Sequence, residues 1–258
     1  MVDLYYRQQG EGADLIMLHG LFGSCDNLGM LTRVLANSYK VTSVDLRDHG
    51  RSPHTDEISY PVMAEDILSL MDTLEIPSAA VFGHSMGGKV VMQMAAVAPD
   101  RITKMIVGDI APIEYGHNHV AVLTAQEAVR DAHPPIDGRK AAEAIMDPFI
   151  EEDGVLPFLL TNLRRDGDRW QWRHNLDLIV SDYPNIAKAP DRGEPFGKPV
   201  LFMKGANSAY ITEEARAEVA ARYTSVKLHV LSGTGHWFHA EKPEATLRVI
   251  EEFLASDG

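Results

Sequence analysis

The stretch Ala80-Val81-Phe82-Gly83-His84-Ser85-Met86-Gly87-Gly88 decides how the rest of this sequence is interpreted. Its first residues are apolar without interruption, which predicts a short buried strand, and residues 89–98 after it have helical character. Between the two lies a turn of the form Gly-x-Ser-x-Gly. Because glycine has no Cβ, Gly83 and Gly87 allow the strand and the helix to approach closely on either side of the serine. The sequence therefore predicts a sharp strand-to-helix turn that exposes the Ser85 hydroxyl.

This turn places Ser85 at the N-terminus of a helix. Free backbone N–H groups and the helix dipole favour developing negative charge at such a position. A Gly-x-Ser-x-Gly turn between a strand and a helix is known as a nucleophile elbow. The alternative is a glycine-rich turn with an idle serine, and the candidate partners described below favour the nucleophile.

Composition and charge exclude several classes of function. The chain has 258 residues, 45% of them hydrophobic, which suffices for one large domain, or one domain with an insertion, around a sizeable core. A formal net charge of −13 argues against nucleic acid, which requires clustered Lys and Arg, and leaves no basic face for an anionic membrane. No apolar run is long enough for a membrane span. We expect a small-molecule partner, with monomer and homodimer both left open.

The cysteine count and the first residues bear on location. The single cysteine, Cys25, excludes an internal disulfide and fits a reducing compartment. No signature of a cysteine nucleophile surrounds it, so we interpret Cys25 as an ordinary loop residue. The first residues contain no charged segment followed by an apolar one of the kind that directs export. The expected location is the cytoplasm.

Apolar runs alternate with helical spacing along much of the chain, which is typical of an α/β fold. The expected sheet is mostly parallel, with seven or eight strands and helices on both faces, because strands covered on both faces are apolar throughout. The predicted strands lie at 2–9, 14–18, 40–45, 80–84, 102–108, 199–203 and 227–231.

The alternation stops at Pro112. From 112 to 195 only helical spacing is found, over His119–Arg130, Arg139–Met146, Val155–Arg165 and Asn175–Lys188. We predict an all-helical cap over 112–195, inserted after the sixth strand into a core domain of 1–111 and 196–258. The insertion leaves the sheet at the strand ends where ligands bind, so a lid is the preferred interpretation and a purely structural elaboration the alternative.

A His-Gly turn, His19-Gly20-Leu21-Phe22-Gly23, follows the second predicted strand. In folds built on a nucleophile elbow, an early turn of this kind provides the second donor of an oxyanion hole. We predict the backbone N–H groups of Leu21 and Met86 as the two donors, and His19 as a packing residue that braces the turn. The polar segment 46–52 has a His, an Asp and two Arg, and we interpret it as a hydrogen-bonded structural loop rather than a catalytic one.

A serine hydroxyl becomes a good nucleophile when a base removes its proton. Histidine is the usual base because its pKa lies near working pH. Of the eleven histidines, His236 follows a late strand across a Gly-Thr-Gly turn, at the end of the sheet where ligands bind. We therefore predict His236 as the base, and we interpret His239 as a packing or surface residue.

The third member of such a site is an acid that orients the imidazole and stabilises its charged form. The loop Lys204–Tyr210 contains no carboxylate, and Glu213 beyond it already lies in a predicted helix. Asp109 stands at the carboxyl end of a buried strand near that of Ser85, where an unpaired carboxylate would be costly. We predict Asp109 as the acid, with a helix cap at the start of the insertion as the alternative.

Taken together, these motifs resemble the serine α/β-hydrolases, and more closely a small bacterial esterase and thioesterase group related to the abhydrolase-11 type. The resemblance covers nearly the whole chain and rests on His19–Ser24, Gly83–Gly88, Asp109–Pro112, Gly235–Trp237 and Glu241–Pro243. The group places its acid after the sixth strand, which implies Asp109 independently. The resemblance implies a serine hydrolase that cleaves esters or thioesters of small to medium acyl groups through an acyl-enzyme. The cap matches the group least well, and the cap sets substrate choice.

Other chemistries occur on the same architecture. Haloalkane dehalogenases and many epoxide hydrolases use an aspartate nucleophile, which Ser85 argues against. A cofactor-free perhydrolase or a carbon–carbon bond hydrolase would keep the same three residues and is the alternative. A non-catalytic scaffold or receptor is a further alternative.

Several aromatic and apolar residues are candidates for the substrate pocket. Phe22, Trp237 and Phe158 are predicted to bind substrate. The wider set of apolar cap residues fits a pocket and the inner face of packed helices equally well; it comprises Phe149, Leu156, Phe158, Leu159 and Trp170. Glu114, His117 and His119 have weak metal-ligand spacing and are interpreted as exposed. No metal and no cofactor are predicted.

Overall fold

A computed structural model describes residues 1–116, 119–150 and 154–256. Its strands are β1 (Tyr6–Gln9), β2 (Ala13–Leu18), β3 (Tyr39–Val44), β4 (Ala79–His84), β5 (Ile102–Gly108), β6 (Leu163–Asp166), β7 (Arg169–Trp172), β8 (Val200–Gly205) and β9 (Val226–Leu231). Its α-helices are α1 (Gly29–Leu35), α2 (Tyr60–Thr73), α3 (Met86–Val97), α4 (Val120–Arg130), α5 (Arg139–Met146), α6 (Val155–Leu160), α7 (Leu176–Ser181), α8 (Tyr183–Ala187), α9 (Ala215–Arg222), α10 (Phe238–Glu241) and α11 (Pro243–Ala255).

Seven of these strands form one sheet, in the order β1-β3-β2-β4-β5-β8-β9. β1 pairs antiparallel with β3 at one edge, and the other neighbours pair in parallel. Parallel neighbours need crossover connections, which place helices on the faces of the sheet. The predicted α/β fold is confirmed, with the smaller of the two expected strand counts.

The sheet separates two hydrophobic cores. Successive side chains of a strand point to opposite faces, and β2 illustrates the result: Leu15 and Met17 belong to one core, Ile16 and Leu18 to the other. Helices α1 and α11 cover the first core, while α2, α3 and the cap cover the second. The inner strands β2, β3, β4, β5 and β8 are therefore largely buried on both faces, as their apolar runs predicted, whereas the edge strands β1 and β9 are mostly exposed.

The insertion between β5 and β8 differs from the prediction in three respects. Five strands precede it in the chain, not six. The predicted helix over Val155–Arg165 ends at Leu160, and β6 and β7 then form an antiparallel hairpin, so the cap is not all-helical. The hairpin turns at Gly167, whose φ of 59° suits glycine. The predicted helix over Asn175–Lys188 is divided into α7 and α8 before Pro184, which has no N–H to continue a helix.

Candidate active site

Ser85 lies between β4 and α3 in a strained conformation, with φ 52° and ψ −118°. Its own N–H donates to the Gly108 carbonyl on the neighbouring strand, at 2.8 Å. A Cβ on Gly83 would lie 2.1 Å from the Gly87 carbonyl oxygen, so any other residue there would push helix and strand apart. Gly83 and Gly87 thus allow the tight turn that holds Ser85 at the carboxyl end of β4.

Asp109 follows β5 directly and is fully buried. Its Oδ2 accepts hydrogen bonds from His236 Nδ1, at 2.7 Å, and from the Ser208 hydroxyl, while its Oδ1 accepts from the Gly205 N–H at 3.1 Å. Three donors therefore fix both oxygens of a carboxylate that has no access to water. Asp109 does not cap a helix at the start of the insertion, which was the alternative interpretation, because α4 begins only at Val120.

His236 is oriented by this carboxylate and by aromatic neighbours. Donation from Nδ1 to Asp109 leaves the Nε2 lone pair of a neutral imidazole available to a serine hydroxyl. The centroid of the His236 ring lies 4.3 Å from that of the tilted Tyr210 ring and 5.3 Å from that of the Trp237 ring. The structure records no hydrogen bond between Ser85 Oγ and His236 Nε2, a contact that commonly shortens only when substrate binds.

The backbone of the two loops beside Ser85 offers the predicted oxyanion donors. Leu21 lines the cavity in which Ser85 lies, and Met86 opens α3, where the first N–H groups of a helix have no intrahelical acceptor. Within the described part of the chain, neither N–H donates to a protein acceptor. Both remain available for an anionic oxygen.

The turn that carries Leu21 is held by contacts from the core and from the cap. His19 is buried; its Nε2 accepts from the Leu46 N–H at 3.0 Å and its Nδ1 donates to the Gly20 carbonyl at 2.8 Å. This confirms His19 as a bracing residue. From the cap, Asn162 Nδ2 donates to the Phe22 carbonyl at 2.6 Å.

The segment 46–52 is a structural loop, as predicted. Arg47 and Asp66 form a buried ion pair at 2.6 Å, and Asp48 accepts from Thr55. Cys25 is buried as well. Burial, together with nearby Asp45, raises the pKa of its thiol to about 12. A thiol held in this way is a poor nucleophile.

A cavity of about 120 Å³ opens in front of Ser85. Its wall includes all three residues predicted to bind substrate, Phe22, Phe158 and Trp237, and the last two are in ring contact at 5.7 Å. Of the remaining apolar cap residues, Leu159 lines this cavity and Leu156 packs half-buried against the core. Phe149 is exposed, and Trp170 borders a different cavity. A smaller cavity of about 30 Å³ reaches Ser85 from the side of α3.

His119 is a site residue that the sequence prediction missed. It was expected to be exposed, yet it is largely enclosed and borders both cavities beside Ser85. Its Nδ1 pairs with the Tyr183 hydroxyl at 2.6 Å, and burial lowers its pKa to about 4. His117 lies outside the described residues, and among those described no group of three or more His, Cys, Asp or Glu is arranged to hold a metal ion. Only the start of a helical pattern distinguished His119 in the sequence.

His239 packs beneath the site. It is buried against the His84 ring at 4.3 Å, which confirms the packing interpretation. Among the helices that the structure describes, none is long and apolar enough to cross a bilayer.

Comparison with known proteins gives a consistent result. A family model described as the alpha/beta hydrolase fold matches residues 15–243. The chain is 40% identical to Esterase YbfF of Escherichia coli (strain K12), over 96% of this chain and 95% of that protein. It is 34% identical to the sn-1-specific diacylglycerol lipase ABHD11 of Mus musculus, over 93% and 80% of the two chains. A solved structure, a marine microorganism esterase, superimposes with a TM-score of 0.93 at 34% identity, over 98% of this chain and 100% of the other.

Proposed function

Since the chain belongs to the alpha/beta hydrolase family and is a carboxylic ester hydrolase, we propose that it cleaves esters or thioesters of small to medium acyl groups through an acyl-enzyme on Ser85. The observation that carries this proposal is the hydrogen bond between His236 Nδ1 and the buried Asp109 carboxylate, beside a serine at the mouth of a cavity. The order Ser, Asp, His along the chain is that of the fold.

The first half of the proposed reaction forms the acyl-enzyme. His236 Nε2 takes the Ser85 proton while the oxygen attacks the substrate carbonyl, and Asp109 stabilises the resulting imidazolium. The backbone N–H groups of Leu21 and Met86 stabilise the oxyanion. Donors of this kind are each worth about a hundredfold or more in kcat, because they are already oriented before the charge develops.

Departure of the leaving group completes the acyl-enzyme: the His236 imidazolium protonates the alcohol or thiol as its bond to the acyl carbon breaks. In the second half, water attacks the acyl-enzyme with His236 again acting as base. As this second intermediate collapses, His236 returns the proton to Ser85 and the carboxylic acid departs. Every proton transfer passes through one imidazole, so the placement of that ring governs both halves.

The size of the main cavity supports a short acyl group. Its volume of about 120 Å³ is below the ~150 Å³ of an apolar cavity that accommodates benzene. Phe22, Phe158 and Leu159 make much of its wall apolar. We place the acyl chain here and assign to the cap, 112–195, the role of the lid that selects it. We also propose a cytoplasmic location, which the single cysteine supports.

The test is hydrolysis of p-nitrophenyl esters from acetate to palmitate by wild type, Ser85→Ala and a matched control, Ser181→Ala. Ser181 is an exposed serine in the cap. We expect kcat/KM to be highest for short to medium chains, to fall by about 10⁴-fold or more in Ser85→Ala, and to be unchanged in Ser181→Ala.

Labelling with a fluorophosphonate, followed by peptide mass spectrometry, locates the nucleophile. Modification at Ser85 without turnover of any ester would direct the search to acyl-thioesters. A folded Ser85→Ala protein with near-wild-type turnover would refute the proposed mechanism.

A further inference from the structure

The residue before the serine, His84, occupies a slot at the centre of the site. It ends β4, which lies between β2 and β5, and it lines the main cavity together with Ser85. A Cβ on Gly20 would lie 3.2 Å from His84 Nδ1, and a Cβ on Gly108 would lie 3.3 Å from His84 Cδ2. The imidazole is thus enclosed by glycines on both sides, and the ring has little freedom to move.

Among the residues that the structure describes, the hydrogen bond of the His84 side chain goes to the loop of the proposed base. His84 Nε2 lies 2.9 Å from the backbone carbonyl oxygen of His236. A carbonyl oxygen can only accept a hydrogen bond, so the His84 proton must be on Nε2. His84 therefore donates, and it does so in one defined tautomer.

The surroundings keep the His84 ring uncharged. Burial, and then the neighbouring His239 and His236, lower its pKa well below the ordinary value. The ring centroid is 4.3 Å from that of His239, 4.8 Å from that of His236 and 5.8 Å from that of Phe238; His19 lies further off. A neutral donor here is compatible with an imidazolium on His236 during the reaction, whereas a second cation would oppose it.

From these contacts we propose that His84 is a positioning residue for His236. By binding the His236 carbonyl, His84 holds the backbone of the base where the His236 Nε2 can reach the Ser85 hydroxyl. His236 is fixed at two points: Asp109 binds its ring Nδ1 at 2.7 Å, and His84 binds its carbonyl oxygen at 2.9 Å. Since His84 and Ser85 are adjacent in the chain, the second point ties the base to the nucleophile's own backbone. The proposal rests on the proposed roles of Ser85 and His236.

Three substitutions of His84 separate this role from simple packing. Counted in bonds from Cβ, the Nε2 of glutamine occupies the place of the histidine Nε2, so His84→Gln retains the donor. His84→Asn places its amide where Nδ1 was and cannot reach the carbonyl. His84→Leu fills the slot without any donor.

We expect His84→Gln to keep kcat within about threefold of wild type, while His84→Asn and His84→Leu lose about 10- to 100-fold in kcat with KM within about twofold. A misplaced base slows the chemical step, while the apolar wall formed by Phe22, Phe158 and Leu159 is retained, so the loss falls mainly on kcat. The low-field proton resonance of the His236–Asp109 hydrogen bond should persist in His84→Gln and be broadened or lost in the other two. A packing defect alone would not produce this pattern.

Melting temperatures of all three variants accompany the kinetics. Wild-type kcat in a folded His84→Leu or His84→Asn protein overturns the proposal, as does a folded His84→Gln protein impaired as strongly as His84→Leu. If His84→Leu does not fold, the contrast between Gln and Asn decides. Failure of all three to fold assigns His84 to structure alone and also overturns the proposal.

The outcome is separable from that of the proposed mechanism. Were Ser85→Ala active, the nucleophile itself would be wrong, and the His84 variants would be judged only by the resonance of the His236–Asp109 pair. Were Ser85→Ala inactive and the His84 variants all wild-type, the mechanism would stand without this positioning contact.

Discussion

One carboxylate oxygen of Asp109 accepts hydrogen bonds from two donors that lie far from it along the chain. Ser208 and His236 both donate to Oδ2, while the Gly205 N–H holds Oδ1. Ser208 and Gly205 take no part in the proposed proton transfer, and they hold the carboxylate in the orientation that meets His236 Nδ1. The contributions of charge and of orientation can therefore be separated by mutation.

Asp109→Asn should lower kcat by about 10³- to 10⁴-fold, because an amide can donate to His236 and favour the wrong tautomer. Ser208→Ala removes one of the carboxylate's three donors and should cost less than about tenfold. Steady-state kinetics on the best p-nitrophenyl ester provide the comparison. Near-normal turnover of folded Asp109→Asn would place the acid elsewhere.

Site residues that belong to a local sequence motif could be predicted. Those whose role depends on contacts with distant parts of the chain could not. Ser85 was located by the glycines around it, and His236 by the strand and turn before it. His84 and His119 have no such local signal, because their partners His236 and Tyr183 lie far along the chain. Histidine is equally suited to packing and to chemistry, so its sequence neighbours alone do not decide its role.

At the scale of elements, helix α3 joins the elbow to the far end of the cap. Lys89 of this helix is buried, and its Nζ donates to the carbonyls of Ala187 at 3.1 Å and Lys188 at 2.5 Å. The Tyr60 hydroxyl donates to the Ile186 carbonyl at 2.6 Å, just before them. Three consecutive carbonyls at the end of α8 are thus held by core side chains, which fixes the cap above Ser85.

Lys89→Met should loosen this attachment. Methionine preserves length and fills the space, but it leaves the Lys188 carbonyl without its lysine donor, at a cost of about 1–3 kcal/mol if that carbonyl stays buried. The Ala187 carbonyl loses one donor and keeps the Tyr115 N–H at 2.9 Å. We expect a lower melting temperature and faster proteolysis in 112–195, with Lys140→Met, at an exposed position of α5, as the matched control. An unchanged proteolysis rate in a folded Lys89→Met protein would contradict this account.

The core elements were predictable because their apolar pattern is unambiguous, and the cap hairpin was not. β6 and β7 carry exposed Arg164, Arg165 and Arg169, and they lack the alternation that marks a half-buried strand. What forms the hairpin is its turn at Gly167 together with anchors at its base, where Leu163 pairs with Trp172 and both are buried. These are tertiary contacts, and a short window of sequence does not contain them.

At the scale of the whole molecule, a group of buried histidines makes stability depend on pH. Burial lowers the pKa of His49 and His239 to about 3 and that of His119 to about 4, and also lowers those of His19, His84 and His174. Unfolding returns each to an ordinary value near 6.5. Below that pH the unfolded chain binds more protons than the native one, so the stability of the native state falls on acidification.

We expect the free energy of unfolding to fall between pH 6.5 and 4, with each neutral buried histidine contributing up to about 1.4 kcal/mol per pH unit. Urea unfolding at a series of pH values measures this slope. His174→Phe should reduce it, because His174 stacks on Trp172 and neither of its ring nitrogens has a hydrogen-bond partner in the described structure. A slope that is the same in both proteins would remove His174 from the explanation.

The strained backbone at the site has an evolutionary consequence. Of the five non-glycine residues with positive φ among those described, three belong to the site: Phe22, Ser85 and Asp109. Such conformations cost of order 1 kcal/mol or more and are relieved by glycine. A lineage that no longer needed hydrolysis would therefore gain stability by losing its nucleophile, and Ser85 is a position where decay of function and improvement of the fold proceed by the same substitution.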